Sequence, residues 1–234
     1  MHKIFQNLFN GTIINVCKCL QCGVLKTTEE SFFDISLKVV GFSNLEESFS
    51  NLIQNEIIQN YSCDQCKRLT TVQKQMRLKT KPNVLFFYLN RFSYDQKNQR
   101  NNKVHSKFEF KKQFNIKPYI DNREQETESL DYEYILTGVV VHKGNANSGH
   151  YVSLVNADKT TDGKWIEFDD SNVKIFSNDK FEETCFGRPI LSGNENNQSE
   201  EVLNSNSAYI LVYEKIVKKK LELNSQIVQY LKNN

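Results

Sequence analysis

Alternating apolar and polar positions predict that most of this chain forms β-strands. The clearest half-buried strand covers residues 33–39, where every second residue is apolar. A continuous apolar run over residues 84–89 follows Pro82, as expected of a strand that is buried on both faces. The same reasoning predicts further strands over residues 71–78, 134–142, 151–156, 165–169 and 208–213.

Only one segment has a clear helical period. Ser43 and Glu46 fit an S-x-x-E capping box, and apolar residues at helical spacing follow, so we expect a helix from about 45 to 58. Polar surface loops are expected over 96–103, 121–131 and 191–207. The pattern as a whole predicts an α+β fold that is predominantly antiparallel β.

Composition narrows the class of protein. The chain has 234 residues, of which 38% are hydrophobic and 12% aromatic, enough for one large folded domain or a domain with a protruding subdomain. Its net charge of +2 does not favour nucleic acid or an anionic membrane as a partner. No apolar run reaches membrane-spanning length and no signal peptide is visible, so we expect a cytoplasmic or nuclear protein with reduced thiols.

Four of the six cysteines form two C-x-x-C pairs. In a reducing compartment, two such pairs favour a structural zinc site with four thiolate ligands. Four ordinary buried thiols and redox-active pairs are the alternatives, and a zinc-dependent nucleic-acid binder is disfavoured because no basic stripe accompanies the pairs. Cys17 and Cys185 are expected to be buried small hydrophobic residues. The proposed zinc ligands are Cys19, Cys22, Cys63 and Cys66.

A histidine and two carboxylates form the second candidate site. His150 follows a loop over residues 143–149 that is rich in turn-forming residues, and this loop would place the ring at the start of a strand. Asp169 could accept a hydrogen bond from one ring nitrogen and leave the other to take a proton from a thiol. Asp170 would point to the opposite side if its strand continues, although either carboxylate could orient the ring.

These motifs together resemble the ubiquitin-specific protease family, which comprises cysteine peptidases that cleave ubiquitin from proteins. The resemblance runs over about 8–214 and includes both C-x-x-C pairs and the 84–92 segment. Its most specific part is the ordered series of motifs G-x-x-x-H-x-G, G-H-Y, W-x-x-F-D-D and A-Y-x-L-x-Y, which begin at Gly138, Gly149, Trp165 and Ala208. Each motif alone is moderately specific, whereas their order and spacing are highly specific.

The resemblance implies a papain-like cysteine protease palm with a zinc-stapled β extension called the fingers. Residues 1–70 would contain the fingers, the zinc ligands and part of the palm; residues 71–214 would form the palm, and 215–234 a C-terminal tail. By the same resemblance, His150 matches the general base, Asp169 the orienting acid and Asp170 a neighbouring acidic position.

The family's nucleophile does not have a match in this sequence. It lies in a Gly-Asn-Thr-Cys-type box at the start of a helix, and Cys17 has no such context. We therefore expect the nucleophile to lie upstream of Met1, and we do not expect the chain to hydrolyse a substrate by itself. Two functions remain open, a deubiquitinase fragment that acts on ubiquitin or ubiquitinated proteins and a non-catalytic ubiquitin-binding module.

Overall fold

A computed structural model describes residues 2–121, 132–188 and 206–216 of the chain. The helices within these ranges are α1 (His2–Phe9), α2 (Leu45–Leu52) and α3 (Phe181–Cys185). The strands within them are β1 (Gly11–Cys19), β2 (Leu25–Phe32), β3 (Asp34–Lys38), β4 (Glu56–Cys63), β5 (Arg68–Thr80), β6 (Val84–Asn90), β7 (Phe92–Asp95), β8 (Arg100–Lys103), β9 (Gln113–Asn115), β10 (Glu133–Gly144), β11 (Gly149–Asn156), β12 (Trp165–Asp169), β13 (Asn172–Phe176) and β14 (Asn206–Lys215). None of the described helices is long and apolar enough to cross a membrane.

Two sheets contain all of these strands except β7 and β8, which form a separate two-stranded sheet. The four-stranded sheet has the order β2-β1-β5-β4, and all of its neighbouring strands are antiparallel. The large sheet has the order β13-β12-β11-β10-β14-β6-β3, with β9 paired to β10. Its neighbours are antiparallel except for β3 and β6, which are parallel. The α+β fold class with predominantly antiparallel strands is thus confirmed.

The main hydrophobic core lies on one face of the large sheet. Residues that alternate along each strand contribute to it, since successive side chains of a strand point to opposite faces. Strand β6 follows this rule: Leu85, Phe87 and Leu89 are fully buried, whereas Phe86 and Tyr88 are only half-buried. The prediction that this strand is buried on both faces is therefore wrong, because its second face is covered only in part, by contacts such as that of Phe9 with Phe86.

The predicted helix at 45–58 is too long, because α2 ends at Leu52. Asn44 is its N-cap and accepts a hydrogen bond from the Glu47 N–H, so the cap lies one residue later than predicted. Ile57 and Ile58 instead pair with β5 as part of strand β4. Their branched side chains suit an extended backbone, and the strand brings the chain to the second cysteine pair.

Other segments also differ from the pattern-based expectation. Helix α1 was not predicted, and the expected loop at 96–103 is in large part a hairpin of β7 and β8 whose turn places Gln99 at a φ of 48°. The apolar residues Ile4, Phe5 and Leu8 of α1 are 68%, 55% and 39% exposed. Most of the other two predicted loops, at 121–131 and 191–207, and most of the predicted tail at 215–234 lie outside the described residues.

One buried arginine ties several loops to the large sheet. Arg91 is 1% exposed, and its guanidinium donates hydrogen bonds of 2.9–3.1 Å to four backbone carbonyl groups. Burial lowers its pKa to about 10, which still leaves it charged at neutral pH. The four acceptors are the carbonyl oxygens of Val104, Ser106, Phe186 and Ala208.

Candidate active site

The pairing of β10, β11 and β12 positions the candidate catalytic residues. His150 is the second residue of β11 and lies opposite Lys143 of β10. On the other side of β11, Ser153 pairs with Phe168, so the last residue of β12, Asp169, comes within one diagonal step of His150. The sheet register therefore brings together two side chains that are 19 positions apart in the sequence.

His150 and Asp169 form a short hydrogen bond. The distance from His150 Nε2 to Asp169 Oδ1 is 2.6 Å. An ionised carboxylate only accepts hydrogen bonds, so Nε2 carries the hydrogen and Nδ1 remains the basic nitrogen of the neutral ring. The pKa of Asp169 is lowered, first by this hydrogen bond and further by the charge of Lys143. The aspartate is thus ionised at neutral pH and fixes the tautomer of the imidazole.

Asp170 lies near the same ring but is not equivalent to Asp169. The prediction that it points to the opposite side depended on a continuing strand, whereas β12 ends at Asp169 and Asp170 adopts a φ of 51°. This left-handed turn swings its carboxylate back, so that Oδ2 lies 3.8 Å from His150 Nε2. Its side chain is 83% exposed, which makes Asp169 the better-supported orienting acid.

The turn before His150 is held by its own hydrogen bonds. Asn145 Oδ1 accepts hydrogen bonds from the backbone N–H groups of Asn147 and Ser148, at 2.9 and 2.8 Å. Gly144 starts the turn with a φ of 103°, a conformation that favours glycine. Lys103 Nζ donates to the Gly144 carbonyl oxygen at 2.8 Å and so joins the turn to β8.

An aromatic cleft lies beside this turn. It has a volume of about 590 Å³, and Tyr151 and Tyr209 line it with ring centroids 5.8 Å apart. The ring of His142 packs between Phe92 and Tyr151, at centroid distances of 5.0 and 4.8 Å. Burial lowers the pKa of His142 to about 4, and the charges of neighbouring Lys103 and His105 add to this effect. His142 is therefore neutral and belongs to the wall of the cleft.

The four cysteines predicted to bind metal come together at one end of the four-stranded sheet. Their sulfur atoms all lie within 4.8 Å of one another. The Sγ atoms of Cys19 and Cys66 are 3.9 Å apart, and those of Cys22 and Cys63 are 3.8 Å apart. A tetrahedral zinc–thiolate site with bonds of about 2.3 Å has sulfur–sulfur edges of about 3.8 Å. The spacing of the donor set thus fits a tetrahedral metal ion.

Tight turns after each cysteine pair produce this spacing. Gly23 and Lys67 follow the two pairs with φ values of 74° and 53°, and their N–H groups donate to the carbonyl oxygens of Cys19 and Cys63. Hydrogen bonds, first with the Cys22 backbone and then with Thr70, lower the pKa of Cys19 to about 6. A thiolate is the form that binds metal, so this turn favours the ligand state.

The two remaining cysteines lie away from the histidine. Cys17 is half-buried on β1, two residues before the first zinc-ligand candidate. Cys185 is fully buried in α3, and burial raises the pKa of its thiol far above the ordinary value. The groups that contact the His150 ring nitrogen within the described residues are Asp169 and Asp170. The expectation that Cys185 is a buried hydrophobic residue is confirmed, whereas Cys17 is only half-buried.

Comparison with known proteins identifies the family. The chain matches the ubiquitin carboxyl-terminal hydrolase family over residues 2–213. It belongs to this family. Ubiquitin carboxyl-terminal hydrolase 4 of Arabidopsis thaliana is 32% identical over 92% of the chain and 54% of the relative. Hydrolase 26 of Oryza sativa subsp. japonica is 29% identical over 92% of the chain and 22% of the relative.

A solved structure agrees with this family assignment. The SAGA Ubp8/Sgf11/Sus1/Sgf73 DUB module bound to ubiquitin aldehyde is similar to the chain with a TM-score of 0.69 and 29% identity. The match covers 92% of the chain and 43% of the other protein. The chain thus spans about half or less of the hydrolases that it resembles.

Sequence reasoning missed two charged residues beside the His150–Asp169 pair. Lys143 Nζ lies 3.4 Å from Asp169 Oδ2 and 3.0 Å from Glu167 Oε1. Glu167 occupies the middle of β12, and its side chain is 8% exposed. The sequence did contain a signal for Glu167. It is a charged residue two positions after Trp165 in a strand, so both side chains point toward the core.

Proposed function

We propose that the chain is the part of a deubiquitinase that supplies the general base and its orienting acid. In this proposal, His150 Nδ1 takes the proton of a cysteine thiol, and the thiolate attacks the carbonyl carbon at the C-terminal glycine of ubiquitin. Asp169 holds the ring and stabilises the imidazolium that forms. The observation that supports these roles is the distance of 2.6 Å between His150 Nε2 and Asp169 Oδ1.

In this proposal, the nucleophile is none of the six cysteines of the chain but a cysteine outside residues 1–234. Four of these thiols are grouped at the end of the four-stranded sheet. Cys185 is fully buried and has a raised pKa, so its thiolate is not accessible for attack. Cys17 lies on β1 of the four-stranded sheet, two residues before Cys19, whereas His150 lies on β11 of the large sheet. His150 therefore serves a thiol that another segment or chain brings to it.

Zinc is the proposed occupant of the cysteine cluster. Four sulfur ligands leave no open position for a substrate or a water molecule, so the ion would be structural. Hydrogen bonding with Cys22, together with burial, raises the pKa of Cys66 to about 12. Four thiolates at this spacing therefore need a cation to balance their charge. Bound zinc would clamp the end of β1 to the β4–β5 turn.

Reaction with a ubiquitin probe tests the catalytic proposal. The complete protein that contains this chain is incubated with ubiquitin carrying a C-terminal electrophile, and the covalent adduct is detected by mass. We expect one adduct on a cysteine outside residues 1–234, formed rapidly by the parent and much more slowly by the His150→Gln variant. His105→Gln is the control and should react at the parent rate. No adduct with the parent would contradict the proposal.

A non-catalytic ubiquitin-binding module is the second candidate. Its support is that the described residues place no thiol beside the His150 ring, while the similar DUB module is a ubiquitin aldehyde complex. This function predicts saturable ubiquitin binding by the 234-residue chain, measured by calorimetry, and no adduct for the complete protein. Binding weaker than millimolar would exclude it.

A further inference from the structure

Five charged or titratable side chains form a row on one face of the large sheet. Lys143 of β10 pairs with His150 of β11, and Glu167 of β12 pairs with Lys174 of β13. Alternate residues of a strand point to the same face, so Glu167 and Asp169 also share it. The row crosses four adjacent strands and includes the candidate base and its acid.

The ammonium group of Lys143 lies between the two carboxylates of β12. Its Nζ is 3.0 Å from Glu167 Oε1 and 3.4 Å from Asp169 Oδ2. The other oxygen of Asp169 is bonded to His150 at 2.6 Å. Each oxygen of this carboxylate therefore has its own partner, and rotation of the carboxylate away from His150 would break both contacts.

Glu167 fixes Lys143 in this position. Its side chain is 8% exposed, and a buried carboxylate is stable only when it is paired. Lys143 contacts one oxygen, and Lys174 Nζ lies 3.4 Å from the other. The side chain of Lys143 is itself 31% exposed, which distinguishes it from the freely solvated lysines of a surface ion pair.

We propose that Lys143, anchored by Glu167, is a positioning residue that holds Asp169 in the orientation His150 requires. This inference rests on the proposed function, in which Asp169 orients the catalytic imidazole. Lys143 does not touch the reacting atoms; it acts through Asp169. By occupying Oδ2 it directs Oδ1 toward Nε2, and by its charge it keeps the carboxylate ionised.

The charges around the imidazole give this role a distinct signature. Asp169 and Asp170 face the ring at 2.6 and 3.8 Å, and Lys143, Glu167 and Lys174 lie behind them. Without Lys143, Oδ2 of Asp169 loses its partner, and the carboxylate can turn away from the ring. Nε2 then loses its acceptor, and the hydrogen of the neutral ring is no longer held on Nε2. Loss of the Glu167 charge releases Lys143 and should have the same effect.

NMR of the histidine rings tests the inference on the 234-residue chain, and the His150→Gln variant assigns the signal. Nitrogen-15 shifts of the neutral His150 ring report the fraction of the Nε2–H tautomer. We expect a smaller fraction in Lys143→Met and in Glu167→Gln than in the parent. Lys143→Arg, which keeps the charge and a donor, should match the parent.

Equal tautomer fractions in the parent and in a folded Lys143→Met variant would overturn the inference. In the complete protein, Lys143→Met should also lower kcat for ubiquitin cleavage several-fold with KM unchanged. Absence of activity in the parent would contradict the proposed function alone, because the NMR shifts do not depend on turnover.

Discussion

Gly149 packs directly against the ring of His142, and a β-carbon at position 149 would lie 2.1 Å from His142 Nε2 and 2.7 Å from the Lys143 carbonyl oxygen. The residue that precedes the candidate base therefore has to be glycine, because neither neighbour is free to retreat. The His142 ring is enclosed by Phe92 and Tyr151, and the carbonyl belongs to β10. The position of His150 thus depends on the packing of a second histidine behind it.

The Gly149→Ala variant tests this dependence. We expect it to lower the free energy of unfolding by about 1–3 kcal/mol and to displace His150 from Asp169. Chemical denaturation and the nitrogen-15 shifts of His150 measure the two effects. Gly138→Ala on β10 is the matched control, because its β-carbon would meet the Val212 side chain at 3.3 Å and the Leu154 carbonyl oxygen at 3.9 Å, without a severe clash. Equal, small effects in both variants would contradict this packing argument.

His142 should make the fold sensitive to mild acid. Its pKa is about 4 in the folded chain, against about 6.5 in an unfolded one. Below the unfolded value, the unfolded state binds a proton that the folded state does not, so stability falls as pH decreases from 6.5 toward 4. The full loss is about 3 kcal/mol, measured by urea unfolding at several pH values. His142→Phe should flatten this dependence; an unchanged slope would show that His142 is not responsible.

Removal of the proposed zinc should unfold the four-stranded sheet before the large sheet. We expect about one zinc ion per chain by elemental analysis, and its chelation should lower the melting temperature by several degrees or more. Cys63→Ser, which removes a buried ligand, should have the same effect, whereas Cys17→Ser should leave both zinc content and melting temperature near the parent values. A chain that melts identically with and without chelator would contradict a structural metal.

Arg91 should contribute more to stability than any surface arginine. Arg91→Met leaves four carbonyl oxygens without their donor, and we expect a loss of about 3 kcal/mol or more in the free energy of unfolding. Arg188→Met is the matched control, because Arg188 forms an exposed ion pair with Glu183, whose loss costs about 1 kcal/mol or less. Comparable losses in the two variants would be inconsistent with the network around Arg91.

The second face of the large sheet should make the isolated chain self-associate. Phe168, Val173 and Ile175 are neighbours on β12 and β13 and are 41%, 55% and 69% exposed. Among the described strands, β13 is also an edge of the sheet. Its exposed apolar side chains therefore lie next to backbone N–H and C=O groups that could pair with another chain. We expect concentration-dependent oligomers by sedimentation, reduced in a Val173→Lys/Ile175→Lys variant but not in Val40→Lys. A parent that is monomeric at all concentrations would refute this expectation.

Local sequence patterns predicted seven of the fourteen described strands, namely β3, β5, β6, β10, β11, β12 and β14, because each of these carries its own apolar signal. The other seven were not predicted. Leu37 and Leu89 lie in the core as their positions in those patterns indicate. The order of motifs also identified His150 and Asp169, which the sheet register then brought together. The four cysteines were found by spacing alone, because the C-x-x-C turn holds two ligands locally.

The features that the sequence analysis predicted wrongly or missed depend on contacts between segments that are distant in the sequence. The helical period beyond Leu52 is compatible with a helix, yet pairing with β5 draws Ile57 and Ile58 into a strand. Lys143 and Glu167 are 24 positions apart, and no local motif relates them. Their contact exists only because β10 and β12 flank β11 in the sheet.

The most direct measurement of the central claim is the rate at which the complete protein cleaves a fluorogenic amide at the C-terminus of ubiquitin. With His150 as the base, we expect His150→Gln to lower kcat about a thousandfold or more and Asp169→Asn to lower it substantially, with KM little changed. His105→Gln should cleave at the parent rate. A His150→Gln variant that retains activity within about tenfold of the parent would contradict the roles assigned to this pair.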